Sequence, residues 1–290
     1  MPAINFAASY RTLSIVATRL GANLADLVLP RLCLACSVRL QRQQLGVCTA
    51  CLNAIAVQRR QRCLRCALPI GSGMKLCAPC QLRPATLDRC YVMVDYLPPW
   101  DRIIQALKFH QQWSLGPPLG SALAPTLAPT LAPTLAPTLA PALTKEVAIA
   151  LDPVFATTIA PATTAVRWML CPIPLSNQRL RERGFNQSQL LGKGIRAQLS
   201  RTNTVAPPLI DLLQRVRNTA PQTTLDWQQR QDNVRDAFAL HDRKRAQSQG
   251  ASIVLIDDVI TTGATLNAAA LTLKQAGAAQ VVGLAVARAL

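Results

Sequence analysis

Acidic side chains and aromatic rings are what this chain of 290 residues has least of. Its 14 Asp and Glu stand against 31 Lys and Arg, a formal net charge of +17, and Phe, Trp and Tyr together make up 4%. Such an imbalance points to nucleic acid or another polyanion as a partner, or else to a surface merely solvated by basic groups. The scarcity of rings argues against base stacking by the basic N-terminal part, where few aromatics interleave with the charges. Long apolar runs are missing as well. Arg11, Arg19 and Asp26 interrupt the first 30 residues, so neither a signal peptide nor a transmembrane segment is expected there. Leu13, Val16, Leu20, Leu24 and Leu27 instead fit one face of a helix ending before Pro30, an N-terminal helix within residues 1–32.

The charge is unevenly placed. Residues 1–90 carry 12 basic and 2 acidic side chains, and residues 166–290 carry 16 and 8. The basic head also holds eight of the ten cysteines, as the CxxC pairs Cys33/Cys36, Cys48/Cys51, Cys63/Cys66 and Cys77/Cys80, with 11, 11 and 10 residues between them. Each CxxC puts two thiolates on one knuckle, and two knuckles close a tetrahedral Zn²⁺ site with no open position for chemistry. Four pairs therefore predict two structural zincs and a double zinc ribbon over residues 33–90, with metal binding supplying most of its folding energy. Pairing first with second and third with fourth is the simpler arrangement; a cross-braced one is the alternative. Thioredoxin-like redox motifs come singly beside a βαβ pattern, so four evenly spaced pairs speak against them. Reduced, metal-binding cysteines suit the cytoplasm better than disulfides do. Eight thiolates on two Zn²⁺ would lower the positive charge of the head by about four units.

Beyond the head, Cys90–Tyr96 has a strand pattern and Trp100–Phe109 that of an amphipathic helix, opening a second domain at 91–290. Residues 123–142 are tandem tetrapeptides, LAPT four times and then LAPA, within a low-complexity insertion at 117–165. A proline at every fourth position removes helix hydrogen bonds turn after turn, so an extended or disordered tract is predicted, with no function of its own. A buried strand is expected over Val166–Pro174. The Arg-rich stretch Leu175 to Gln187 that follows reads as a mobile loop able to fold over an anion, because three arginines at alternate positions cannot share one helix face, or else as an exposed basic turn. Ser188–Leu199 then reads as a helix, Leu209–Arg217 as strand and turn, and Gln228–Asp236 as a capped helix bearing Arg230 and Asn233.

The most informative stretch is Ser252 to Thr265, SIVLIDDVITTGAT. A buried parallel strand leaves through Asp257 and Asp258 into a Thr/Gly loop that opens a helix over Leu266–Gly277, followed by a strand at Val281–Val286. Such a crossing aims loop N–H groups and the helix N-terminus at one anion. Thr261, Thr262 and Thr265 add hydroxyl donors, and Gly263 lets backbone approach phosphate. The two acids can accept hydrogen bonds from vicinal sugar hydroxyls or hold a hydrated Mg²⁺. A purely structural turn or a Walker-B-like acid pair is the competing reading.

IDDVITTGAT resembles the 5-phosphoribosyl-1-pyrophosphate (PRPP) loop of type I phosphoribosyltransferases. With the cysteine ribbon, the helix ending LKF, PIPLSNQRLRERGFNQ and PQTTLDWQQRQDNVRDAF, all in order, the chain resembles the ComF family of competence proteins. The resemblance implies an α/β fold, a Rossmann-like parallel sheet of the type I phosphoribosyltransferase class preceded by a small double zinc ribbon. It implies PRPP with Mg²⁺ as ligand, held by Asp257, Asp258, Thr261, Thr262, Gly263, Ala264 and Thr265. Leu175, Ser176 and Arg179 would lie at the pyrophosphate, with Arg179, Arg181 and Arg183 neutralising its charge as the bond to C1 breaks. It further implies a role in DNA uptake, single-stranded DNA and a helicase-like competence protein as partners, and a cytoplasmic location at the edge of the uptake machinery. The LAPT insertion departs from the family pattern and puts only local packing in doubt. A chain beginning Met1-Pro2 offers no N-terminal Cys nucleophile, so glutamine-dependent amidotransfer is not expected. A non-catalytic nucleotide- or DNA-binding module using the same pocket is the alternative.

Overall fold

The computed structural model describes residues 32–41, 47–57, 60–82, 86–109, 111–131, 166–201, 206–216 and 237–290. The expected helices within 1–32 and over Gln228–Asp236 lie outside them.

Two cysteine-rich turns come first among the described residues, each followed by a short helix, α1 (Thr49–Val57) and α2 (Ala78–Leu82). They are copies of one design. Cys33 N–H donates to Val38 and Cys63 N–H to Leu68, both at 2.8 Å, and Ser37 and Ala67 each take φ of 59° just past the second cysteine of the knuckle.

The second domain is built on a four-stranded parallel sheet of order β1-β6-β5-β2: β1 Arg89–Asp95, β2 Trp168–Pro172, β5 Ser252–Ile260 and β6 Gln280–Arg288. β5 and β6 lie in its middle and read as near-continuous apolar runs because both of their faces are covered. Val254, Ile256, Val282 and Leu284 point to α3 (Trp100–Phe109), α4 (Gly116–Leu131) and α6 (Gln187–Arg201). Ile253, Leu255, Val281 and Ala285 point to α8 (Ala264–Gln275), which comes after the one-turn helix α7 (Arg245–Ser248) in the chain. A two-stranded antiparallel ladder, β3 (Leu213–Arg215) with β4 (Phe238–Leu240), flanks the second face. No helix among the described residues is long and apolar enough to cross a membrane.

The prediction of a non-helical LAPT tract is overturned over its first copies, since α4 runs through Pro125 and Pro129. A repeat of four is also close to one helical turn, so it places Leu119, Leu123, Leu127 and Leu131 on one stripe, each at most 1% exposed, while Pro125 faces solvent. Each interior proline costs about 3 kcal/mol, and each fully buried Leu returns roughly 1.5–3 kcal/mol. Four buried leucines outweigh two prolines. Glycines let α4 approach α6 closely: a Cβ on Gly120 would sit 2.0 Å from the Leu191 carbonyl oxygen, and one on Gly194 would sit 2.0 Å from that of Pro117.

The Arg-rich segment is likewise helical instead of a loop. Ser176 caps α5 (Asn177–Arg183), its hydroxyl accepting from Arg179 N–H at 3.3 Å, and Gly184 ends the helix at φ 75°.

Candidate functional site

β5 carries Asp257 and Asp258 to the carboxyl edge of the sheet, the edge at which open α/β sheets bind ligands. Because successive strand residues face opposite ways, the two acids meet different surroundings. Asp258 is buried, and its Oδ1 pairs with Lys108 Nζ of α3 at 3.0 Å. Its Oδ2 is also buried and has no hydrogen-bond partner. An orphaned carboxylate oxygen of this kind fits a ribose hydroxyl or a water on a metal ion. Asp257 is half-buried and accepts from Asp258 N–H at 2.9 Å. Burial, and then the neighbouring Asp258 carboxylate, push the Asp257 carboxyl up to about 7 against the pull of Lys108 and Arg215.

The loop after the acids is held for approach by an anion. Gly263 takes φ 79°, a left-handed conformation that disfavours any side chain, and it stands as the N-cap of α8 without a capping hydroxyl of its own. Asn267 fastens it from inside the helix, donating Nδ2 to the Gly263 carbonyl at 3.0 Å while its Oδ1 accepts from Thr86 Oγ1 at 2.6 Å. Thr262 Oγ1 accepts from Ala264 N–H at 3.3 Å. The positive end of the α8 dipole thus faces the same space as the acid pair.

Basic groups surround the two acids. Arg183 lies over the Phe109 ring, 5.2 Å from its centroid. Burial lowers its pKa, the Asp258 carboxylate opposes that shift, and Arg179 adds to it. Arg215 of β3 stands over Phe238 at 5.5 Å, its pKa lowered first by burial and then by Arg179, with Asp257 opposing. Arg179 and Arg183, one turn apart, share a face of α5; Arg181 falls on the other side and is exposed. The expectation that all three arginines converge through a loop therefore does not hold. Leu175 is half-buried at the start of this turn, and the Ser176 hydroxyl is engaged in capping. The turn is clamped by Asn186, which donates to the Ile173 carbonyl at 3.0 Å and accepts from Ser188 N–H at 3.0 Å.

Lys108 and Arg215 were missed by the sequence reading. A lysine in the last turn of an amphipathic helix looks like a partner for the helix dipole, and nothing local marks either side chain as facing the acids.

The eight head cysteines form two clusters, Cys33/Cys36/Cys48/Cys51 and Cys63/Cys66/Cys77/Cys80, each with all four sulfurs within 4.8 Å of one another. The consecutive pairing is therefore the one adopted. Tetrahedral Zn–S bonds of about 2.3 Å require sulfurs about 3.8 Å apart, and Cys36–Cys48 at 3.6 Å and Cys66–Cys77 at 3.5 Å fit. Cys48 N–H donates to Cys33 Sγ at 3.3 Å. Although burial pushes upward, backbone N–H groups led by those of Cys48 and Cys77 bring Cys33 down to about 6 and Cys63 down to about 7, while burial pushes Cys51, Cys66 and Cys80 up. Cys90 and Cys171, by contrast, are buried in the domain core and pushed up to about 12 by burial.

Two family models match separate stretches of the chain. Residues 24–81 match the double zinc ribbon domain model and residues 203–289 the phosphoribosyl transferase domain model. The DNA utilization protein YhgH of Salmonella typhi is 31% identical over 260 residues, covering 88% of this chain and 96% of that protein. Competence protein ComFC of Bacillus subtilis is 32% identical over 137 residues, 47% of this chain and 51% of its own. The chain belongs to the ComF family. Competence protein F of Haemophilus influenzae, 27% identical over 257 residues, matches 89% of this ComF chain and 96% of its own. The first model spans the paired tetrads, and the second spans the Thr/Gly loop with its flanking strands.

Proposed function

We propose that this ComF-family chain binds PRPP with Mg²⁺ at the carboxyl edge of its sheet and acts as a phosphoribosyltransferase-like protein in natural competence. The observation that carries the reading is the pair Asp257–Asp258, with one buried carboxylate oxygen left unpartnered beside the left-handed Gly263 and the α8 N-terminus. In this reading Asp257 and Asp258 take the ribose hydroxyls and the waters of the metal ion, and residues 261–265 wrap the 5′-phosphate. Arg179 and Arg183 meet the pyrophosphate, which departs as its bond to C1 breaks and a nitrogen nucleophile bonds to C1. Mg²⁺ supplies charge neutralisation on the leaving group. Lys108, paired with Asp258 in the free protein, is released toward the ligand phosphates. Zn²⁺ in both tetrads is structural.

Calorimetry with PRPP and Mg²⁺, followed by pyrophosphate release across candidate acceptors, tests the site. Asp257→Asn with Asp258→Asn weakens PRPP by about 1.5–3 kcal/mol for each lost charged contact. Arg183→Ala lowers affinity about tenfold, the equivalent of about 1.4 kcal/mol, and Arg181→Ala less than twofold. Unchanged affinity in the double Asp variant, or equal losses from the two arginines, would mean that the pocket holds something else.

A second reading is supported by the net charge of +17, with 12 basic and 2 acidic side chains in residues 1–90 and 16 and 8 in residues 166–290. Here the chain grips single-stranded DNA through phosphates, as a partner of a helicase-like protein at the uptake machinery, and the pocket is a retained nucleotide site. Binding would then weaken by roughly 0.7 log unit per neutralised phosphate for each log unit of salt. Competition between PRPP and DNA would favour this reading over the enzyme, and no DNA binding at low salt would remove it.

A further inference from the structure

Arg288, at the end of β6, is 5% exposed and joins two parts of the molecule that the chain keeps far apart. Its Nε donates to the carbonyl of Cys66, a member of the second cysteine tetrad, at 2.9 Å. From the same guanidinium, Nη1 donates to the Ile260 carbonyl at 3.1 Å and also to those of Thr261 and Ala289. Ile260 ends β5 and Thr261 begins the phosphate loop. One planar fork therefore spans the metal-binding turn and the two peptide units through which the strand becomes the loop. Two further ties hold the same ribbon to the sheet: Cys90 N–H donates to the Leu64 carbonyl at 2.8 Å, and Arg62 pairs with Asp95 at 2.8 Å. Asp95 and Arg288 are register partners across β1 and β6. The first ribbon meets the domain differently, with Cys33, Leu40, Val47 and Cys48 packed in the apolar cluster of α3 and α4.

A buried guanidinium stays charged, so any N–H left without an acceptor costs free energy, and displacing one acceptor pulls the rigid fork away from the others. Cys66 is a ligand in the tetrad, so metal fixes where its carbonyl stands. We propose that Arg288 is a positioning residue that makes the geometry of the phosphate loop conditional on zinc in the second ribbon and leaves it independent of zinc in the first. The proposal rests on the PRPP reading of the loop for its functional consequence, but the mechanical link stands on the contacts above.

The test is a cycle on the full chain. Cys80→Ser, to be used once metal analysis shows that it keeps the first-ribbon zinc, is measured alone and with Arg288→Lys, and Cys36→Ser serves as the first-ribbon comparator. Lysine keeps the charge but has no fork to bridge both carbonyl sets. We expect Cys80→Ser to lower PRPP–Mg²⁺ affinity about tenfold in the wild-type background and less than twofold on Arg288→Lys. Cys36→Ser should stay within twofold of wild type. Equal losses in both backgrounds, or no loss from Cys80→Ser, overturn the proposal. Hydrogen exchange at residues 260–263 is followed in the same samples: it should speed up with second-ribbon zinc loss only where Arg288 is present. This readout keeps the link testable if the wild-type chain binds no PRPP, an outcome that would end the PRPP reading alone. Should Cys80→Ser not fold, stepwise withdrawal of zinc from wild type and Arg288→Lys by a chelator, read by the same exchange, makes the comparison. Identical exchange in the two chains would reject the link.

Discussion

The cysteine head and the parallel sheet hold themselves together by different means. In the head, four sulfurs gather within 4.8 Å twice over, and among the described residues few apolar side chains are buried around them. In the sheet, β5 and β6 are buried on both faces, and α4 and α6 pack so closely that glycines must stand at their crossing. A ribbon this small cannot offset its own chain entropy by burial, so the metal bonds must do it. A sheet covered on both sides by helices needs no such help. Each half is therefore vulnerable in its own way, one to anything that removes metal, the other to anything that changes volume or charge in a closed space.

The sharpest way to break the comparison is to strip the metal. Structural zinc contributes on the order of 10–16 kcal/mol of apparent binding free energy per site, so chelation should abolish hydrogen-exchange protection around Cys33–Cys51 and Cys63–Cys80. Protection at residues 252–256 and 281–286 should survive. Simultaneous loss of both would show that the sheet depends on the head after all.

The two halves should also respond to pH with opposite sign. Thiolate ligands must be deprotonated, so the head loses zinc as pH falls. In the ligand-free sheet domain, Asp257 is raised from 3.8 to about 7, so the folded state binds its proton more tightly than the unfolded one. Its contribution to stability is therefore fully present below about pH 4 and is lost as pH rises through about 7. Asp257→Asn should remove this loss and stabilise the ligand-free domain at pH 8, by at most about 4 kcal/mol at about 1.4 kcal/mol per pKa unit. Thermal denaturation across pH checks it, and a wild-type domain more stable at pH 8 than at pH 5 would reverse the sign. PRPP–Mg²⁺ should for the same reason bind more tightly as pH rises from 6 to 8.

The smallest effect probes packing alone. A methyl on Gly120 would lie 2.0 Å from the Leu191 carbonyl oxygen, and backbone gives way poorly. Gly120→Ala should destabilise the sheet domain by about 1–3 kcal/mol in denaturant while the chain still carries two zincs. A drop in zinc content would tie the two regions together more closely than their contacts suggest.

Much of both regions was legible along the chain, because the motifs concerned carry their own geometry. A CxxC knuckle fixes two ligands within four residues. A strand, two acids and a Thr/Gly loop follow one another within fourteen, and the structure has the strand, the Gly263 cap and the helix in that order, with β5 running on past the two acids to Ile260. What failed was local reasoning about competing terms. Prolines spaced by four spoke against a helix, yet leucines spaced by four built one, since burial of the stripe outweighs the lost hydrogen bonds. Alternating arginines suggested a loop, yet a Ser176 cap and Gly184 stop made a helix that separates Arg181 from Arg179 and Arg183.

The sequence by itself determined the four CxxC knuckles and the strand, acid pair and Thr/Gly loop of residues 252–265, each set within a short segment, whereas the grouping of the knuckles into two tetrads was left open by their spacing and came with the tertiary structure. Only the tertiary structure decided that Lys108 reaches Asp258 across 150 positions, that Arg215 stands beside the acids, and that Arg288 reaches Cys66 across 222. Those meetings depend on the register of β1, β6 and β5 and on which helix covers which face. Register and coverage follow from how all the apolar surfaces are buried at once, a property that no single segment of the chain contains.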